Sequence, residues 1–320
     1  ATITFFIIYA IITFNNNKLP KVKANKAGIL IIVDVENNKQ FEDIKKKLID
    51  KFNDIIRNSA ISNFSIIYIP IEKLSKYDLL EEKSLIKLLK KVNCIYSIKI
   101  KMLADDDNDA TNYQIVINNG VLHPECEENV QNQFASELSF LTSFISKKSF
   151  KKEEKIEELE VTALHLAFVC KYILGITALI GDSVTIGKIM FEELHAEVGK
   201  NNRNINLINH LKHILPVRCY EVNYILASLS YKEYRKNADS DTLENMHVLL
   251  ERANNFIPNT YNYFMMMAIY YTCSNADVVK AKRCIAQCSV IKQDNIWRYN
   301  DAFLFAFEGT AFLTIYKKYK

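Results

Sequence analysis

Glycine and proline are scarce in this chain, seven and five in 320 residues. Loops and tight turns draw on both, so their shortage argues against a loop-rich protein and for a compact, helix-rich one. The seven cysteines show no paired short spacings. An odd number without such a framework excludes a disulfide-stapled secreted domain and fits reduced thiols in a cytosol-like compartment. An excess of one charge is also missing: 41 basic and 37 acidic residues leave +4, and the first 160 residues hold 23 of each. Neither half is a nucleic-acid footprint, and no nucleic-acid partner is expected. The length exceeds one ordinary domain, so two separate cores are expected.

Residues 1–14, ATITFFIIYAIITF, contain no charge, and Lys18, Lys21, Lys23 and Lys26 follow them. The run is shorter than the roughly 18 apolar residues that span a bilayer. It also lacks the basic start and small-residue cleavage site of a signal peptide. Two readings stand for residues 1–27: a short membrane anchor with a basic linker on its cytoplasmic flank, or a buried β-strand. Either gives a cytoplasmic protein, tethered in the first case and free in the second.

From Gly28 the run GILIIVDV reads as a strand buried on both faces. Phe41, Ile44, Leu48, Phe52 and Ile55 recur every three or four residues, the mark of an amphipathic helix. Ser65–Ile71 reads as a second strand, ended by Pro70, and Leu80–Lys91 as a helix. Ile95–Leu103 is a third strand, and Asp105–Asp109 turns the chain back into Tyr113, Ile115 and Ile117. Asp and Asn suit such a turn because they bond their own backbone. Val130, Phe134, Leu138, Leu141 and Ile145 mark another helix. This order resembles the amino-terminal domain of the TolB family over residues 28–146. Val35-Glu36-Asn37 stands at the end of the first strand, Leu85–Val92 at the short helix and Ile95–Ile117 at the hairpin. Ser97 and Lys99 stand where many such domains place a glycine. The resemblance implies a mixed sheet, with a membrane segment before it and helical repeats after it.

Residues 147–160, KKSFKKEEKIEELE, are expected to be a charged linker or solvated helix at a domain boundary. From Val161 to the end the pattern is helical. Tyr261–Cys288 reads as a helical hairpin, with Ala268 and Tyr271 on the first helix and Ala281 at the crossing point. Leu174, Gly175, Gly187 and Phe191 have the spacing that lets paired helices approach. Ala227, with Leu250, Ala253 and Pro258, marks a further hairpin. Ala227, Ala268 and Gly309 recur every 41 residues. The pattern resembles the tetratricopeptide repeat, in a longer form than its usual 34 residues. Asp301–Lys320 then supplies a lone first helix, as a cap or a truncation. The resulting fold class is α+β, an α/β domain followed by all-α repeats over residues 161–320.

Five places carry residue types that chemistry could use. Residues 181–188, GDSVTIGK, have five residues between the glycines and Ile189 where a phosphate loop needs Ser or Thr, so an inter-helix turn is expected. His210 and His213, and Cys284 and Cys288, form pairs too small for a zinc site. His123 and Cys126 sit among acids that would raise a thiol pKa. Asp34-Val-Glu36-Asn37 looks like the opening of a NYN/PIN-type ribonuclease. That resemblance implies a metal held by Asp34 and further acids, for which Asp105, Asp106, Asp107 and Asp109 are the dense candidates.

The favoured expectation is a non-enzymatic scaffold or adaptor, without cofactor or metal, that binds a protein or peptide in a groove formed by the first helices of its repeats. The tetratricopeptide pattern implies groove positions Glu221, Tyr224, Ser228 and Tyr231 in one repeat, and Asn262, Met265, Ile269 and Thr272 in the next. The alternative is the metal-dependent nuclease.

Overall fold

The computed structural model describes residues 19–23, 27–35, 46–47, 49–50, 54, 64–79, 81–94, 96–104, 112–121, 128–144, 147–151, 155–201, 206–274 and 277–294. The chain divides into two compact units, 1–182 with 205–207, and 183–204 with 208–320. The layout is α+β.

The first unit is built on a five-stranded mixed sheet of order β2-β1-β3-β4-β5. The central strand is β1 (Ala27–Val35), parallel to both β2 (Phe64–Pro70) and β3 (Tyr96–Ala104). Its residues Ile29, Leu30, Ile31 and Ile32 are all buried, as a continuous apolar run requires when both faces of the strand are covered. Pro70 falls at the end of the edge strand β2, where a missing N–H costs least. Alternation then sorts the side chains. Leu30 and Ile32 join Leu88, Leu89 and Val92 of α1 (Glu82–Val92) in one core. On the other face Ile29 lies beside Tyr96 and Ile31 beside Ile98; this face is covered by α3 (Lys155–Ile180), whose Cys170 neighbours Tyr96. Helix α2 (Glu128–Ser143) packs beside α3, and Tyr172 donates a hydrogen bond from its hydroxyl to Glu137.

Strands β3 and β4 (Asn112–Val121) form the expected antiparallel hairpin, with Ala104 opposite Tyr113. Its connection, 105–111, lies outside the described residues, as do residues 1–18 and most of the helix expected at Phe41–Ile55.

Within residues 147–160, the first five are strand and the last six are helix. β5 (Lys147–Lys151) pairs antiparallel with β4, and α3 begins at Lys155. A ladder is made of backbone bonds, and lysine-rich segments are common on sheet edges because they deter further pairing. The boundary expected there falls instead at Asp182. Within helix α3 the stretch Val161–Ile180 is long and apolar enough to cross a membrane, and 72% of it is buried inside the protein, His165 and Lys171 included. A stretch apolar on most of its sides belongs in an interior. The repeat expected across Leu174, Gly175, Gly187 and Phe191 is therefore divided, its first helix in one unit and its second in the other.

The second unit is a series of antiparallel helices: α4 (Val184–Gly199), α5 (Asn206–Asn237), α6 (Ser240–Phe256), α7 (Tyr261–Ser274) and α8 (Val278–Asp294). The crossing expected from the sequence is present, with Ala268 of α7 and Ala281 of α8 both fully buried in one cluster with Ile285. With so few glycines, helix ends turn through left-handed residues of other types, Asn93, Asp182, Ala238 and Asn259. Asn and Asp accept this conformation at little cost; Ala does not.

Two substitutions test these positions. A Cβ on Gly28 would meet the Asn93 carbonyl and lie 2.9 Å from Cys94 Cα, so Gly28→Ala is expected to destabilise by about 1–3 kcal/mol. Ala238 has φ 52° and is exposed, so Ala238→Gly is expected to stabilise by about 1 kcal/mol. Urea unfolding followed by circular dichroism measures both.

Candidate partner-binding site

Helix α5 is 32 residues long, about 48 Å at the α-helical rise. Glu221, Tyr224, Ser228 and Tyr231 share one of its faces, and all four are half-buried. Tyr224 stacks on Tyr220 at 5.9 Å with the rings 6° apart. The Tyr220 hydroxyl bonds Thr260 Oγ1 at 2.9 Å, just before α7. Ser228 Oγ donates to the Tyr224 carbonyl, and Glu221 accepts from Arg218 at 2.6 Å. Farther along, Tyr231 and Tyr234 lie beside Cys273 near the end of α7. Contacts at both ends run in the same sense, so α5 and α7 lie parallel. Burial is the main cause that raises the pKa of Tyr220, Tyr224 and Tyr231; these phenols remain neutral donors at neutral pH.

The α7 half of the expected groove requires correction. Asn262 is exposed, but Met265, Ile269 and Thr272 are only 3%, 6% and 4% exposed. Thr272 turns its hydroxyl onto the Ala268 carbonyl at 2.8 Å. The reason is that α7 is packed from two sides. Met266, Met267 and Ile269 share a core with Ala227, Leu243, Met246 and Leu250, while Ala268 packs on Ala281. A helix enclosed this way has no free stripe to offer where the repeat pattern places one.

Sequence reasoning missed a polar seam between α6 and α7. His247 stacks on Tyr270 at 4.2 Å, between Glu244 at 3.3 Å and Glu251 at 3.7 Å on its own helix. Tyr270 donates to Glu244 and Tyr263 to Glu251, both at 2.7 Å. The Tyr270 hydroxyl, then His247, lower the Glu244 pKa. The signal was present in the spacing: Glu244, His247 and Glu251 fall on one helical face, as do Tyr263 and Tyr270.

A polar clamp joins α4, α5 and α6. Glu192 of α4 accepts two bonds from Arg252 of α6, at 2.8 and 2.6 Å, and one from Asn223 of α5 at 2.8 Å; Lys188 lies 3.2 Å away. Asn223 is fully buried and also donates to the Cys219 carbonyl.

Among the described residues the chemical alternatives find little geometry. Asp34 pairs with Lys99 at 3.8 Å, a cation where a metal site would need further acids. Glu36, Asn37, Asp105, Asp106, Asp107, Asp109, His123 and Cys126 lie outside the described residues. Residues 181–183 form the turn between α3 and α4, and Gly187 sits inside α4. His210 and His213 stand on α5, Cys284 and Cys288 on α8. Among the described residues no three potential ligands converge on a metal position. Burial pushes the Cys94 and Cys219 thiols up to about 12 and raises Cys170 and Cys284 as well, the reverse of what a nucleophile needs. No protein-family model, curated protein or solved structure matches the chain.

Two measurements check this site. Glu192→Ala removes a partner from buried Asn223 and is expected to cost about 1–3 kcal/mol in stability. Arg252 is half exposed and returns to water, so adding Arg252→Ala is expected to change little more, as a double-mutant cycle reads. Native-state iodoacetamide labelling read by mass spectrometry is expected to spare Cys94, Cys170 and Cys219 until the protein unfolds.

Proposed function

We propose that the chain is a non-enzymatic scaffold or adaptor that holds a protein or peptide partner on the tyrosine-bearing face of α5 and the first turn of α7. The helical unit reads as tetratricopeptide-type hairpins, α5 with α6 and α7 with α8. The first unit reads as a TolB-amino-terminal-like domain that would present this unit at the cytoplasmic face of a membrane. The observation that carries the reading is the parallel run of α5 and α7, with half-buried Tyr220, Tyr224 and Tyr231 left along its edge. Tyrosine suits this role because its ring supplies apolar contact area at little rotamer cost while its hydroxyl fixes orientation. Glu221 and Asn262 place a charge and an amide at the same end of the strip, and a partner would use them as hydrogen-bonding points around the aromatic anchors.

The test compares the full chain with Tyr224→Ala and Tyr231→Ala in capture from native lysate, followed by titration of the captured partner. Each substitution is expected to weaken affinity per folded molecule by about 1–2 kcal/mol, beside the stability it loses with its packing on the Ala227–Met267 core. Loss of stability with affinity per folded molecule unchanged would assign these tyrosines to packing alone.

A further inference from the structure

The opposite side of α5 carries a second surface. Successive residues of an α-helix turn by about 100°, which puts Leu226 and Leu229 across the helix from Tyr224. From Lys212 to Asn223, α5 meets α4 and the residues just after it, through the Asn223–Glu192 bond and the bond that Lys212 donates to the Asn201 carbonyl. Helix α4 is 16 residues long against 32 for α5, and it begins at Val184, so the last turns of α5 run past it. What remains is a recess of about 650 Å³ among α4, α5 and α6, floored by Leu226, Leu229 and Leu249. Leu229 is 48% exposed, high for a leucine that continues a core-facing stripe.

The rim is cationic. Lys188, Lys232 and Lys236 line the recess against one carboxylate, Glu233. That carboxylate is shared by Lys236 at 3.4 Å and Asn237 at 2.7 Å. Glu192, the partner of Lys188, is shared with Arg252. Lys232 makes no hydrogen bond or ion pair among the described residues. An apolar floor under a rim with more cations than carboxylates, Lys232 among them unpaired, selects its occupant by charge. A phosphate backbone or a flat anionic surface would leave the leucines unused; an acidic amphipathic helix uses both parts.

We propose that this recess docks a short acidic amphipathic helix from a protein partner, its leucine-type side chains on Leu226, Leu229 and Leu249 and its carboxylates on Lys188, Lys232 and Lys236. From Leu226 to Lys236 the α5 surface runs about 15 Å, room for about three helical turns. The site goes beyond the tyrosine face and stands independently of it.

The probe is a fluorescein-labelled synthetic peptide of about 15 residues with leucine at helical i, i+3, i+4, i+7 spacing and glutamate elsewhere, titrated with the full chain by fluorescence anisotropy. Controls replace its glutamates with lysine, or its leucines with serine. Saturable binding of the acidic leucine peptide alone is expected. Lys232→Glu with Lys236→Glu should weaken it at least about tenfold, and added salt should weaken it in the wild type. Leu229→Asp should abolish it; if that variant does not fold by circular dichroism, the lysine variants decide. Tyr224→Ala should leave it unchanged, so a failed tyrosine face and a failed recess read differently. Equal binding of the basic peptide, or affinity indifferent to the lysine reversals, overturns the proposal. So does a concentration-dependent dimer in sedimentation that Leu229→Asp dissolves, since the occupant would then be a second copy of the chain.

Discussion

One carboxylate sets the geometry of the helical unit. Glu192 is 13% exposed and reaches α5 through Asn223 and α6 through Arg252. A largely buried charge is tolerable only when its lone pairs are taken up, so the three helices must meet in the register that satisfies it. That register decides how far α5 projects beyond the start of α4. Both surfaces of α5 follow from it, because a sliding of α4 by one turn would cover the leucines and uncouple the clamp.

The parts legible in the sequence are those where side-chain period and backbone fold coincide. GILIIVDV is a central strand because only a strand covered on both faces can bury Ile29 through Ile32 in succession. Pro258 follows α6 closely, and Ala268 meets Ala281, because helix crossings demand small side chains there. Three features were hidden for physical reasons. β5 is held by main-chain bonds that KKSFK does not advertise. Val161–Ile180 of α3 is apolar on most of its sides, so its pattern cannot say which unit buries it. Met265, Ile269 and Thr272 follow a repeat register that assumes an open side on α7, and packing with α6 and α8 closes it.

The tyrosines reconcile tight packing with polarity. Tyr263 and Tyr270 bury their rings against the core and place their hydroxyls on Glu251 and Glu244. Helix α7 thus makes polar bonds across its seam with α6 without presenting a charged side chain of its own. Burial, then the hydroxyl bond to Glu251, raises the Tyr263 pKa, so this phenol stays a donor across the neutral range. On α5 the same residue type remains half uncovered.

The pairing of β5 with β4 also determines where the polypeptide can be divided. A fragment ending near residue 146, where composition suggests a break, would lose an edge strand of the sheet and the helix that covers Tyr96 and Ile98. Its newly bared β4 would present an open row of amides and carbonyls to the next molecule, an invitation to aggregate. A fragment ending at Asp182 keeps strand, helix and cover together, so expression work on the sheet-bearing half belongs at that residue.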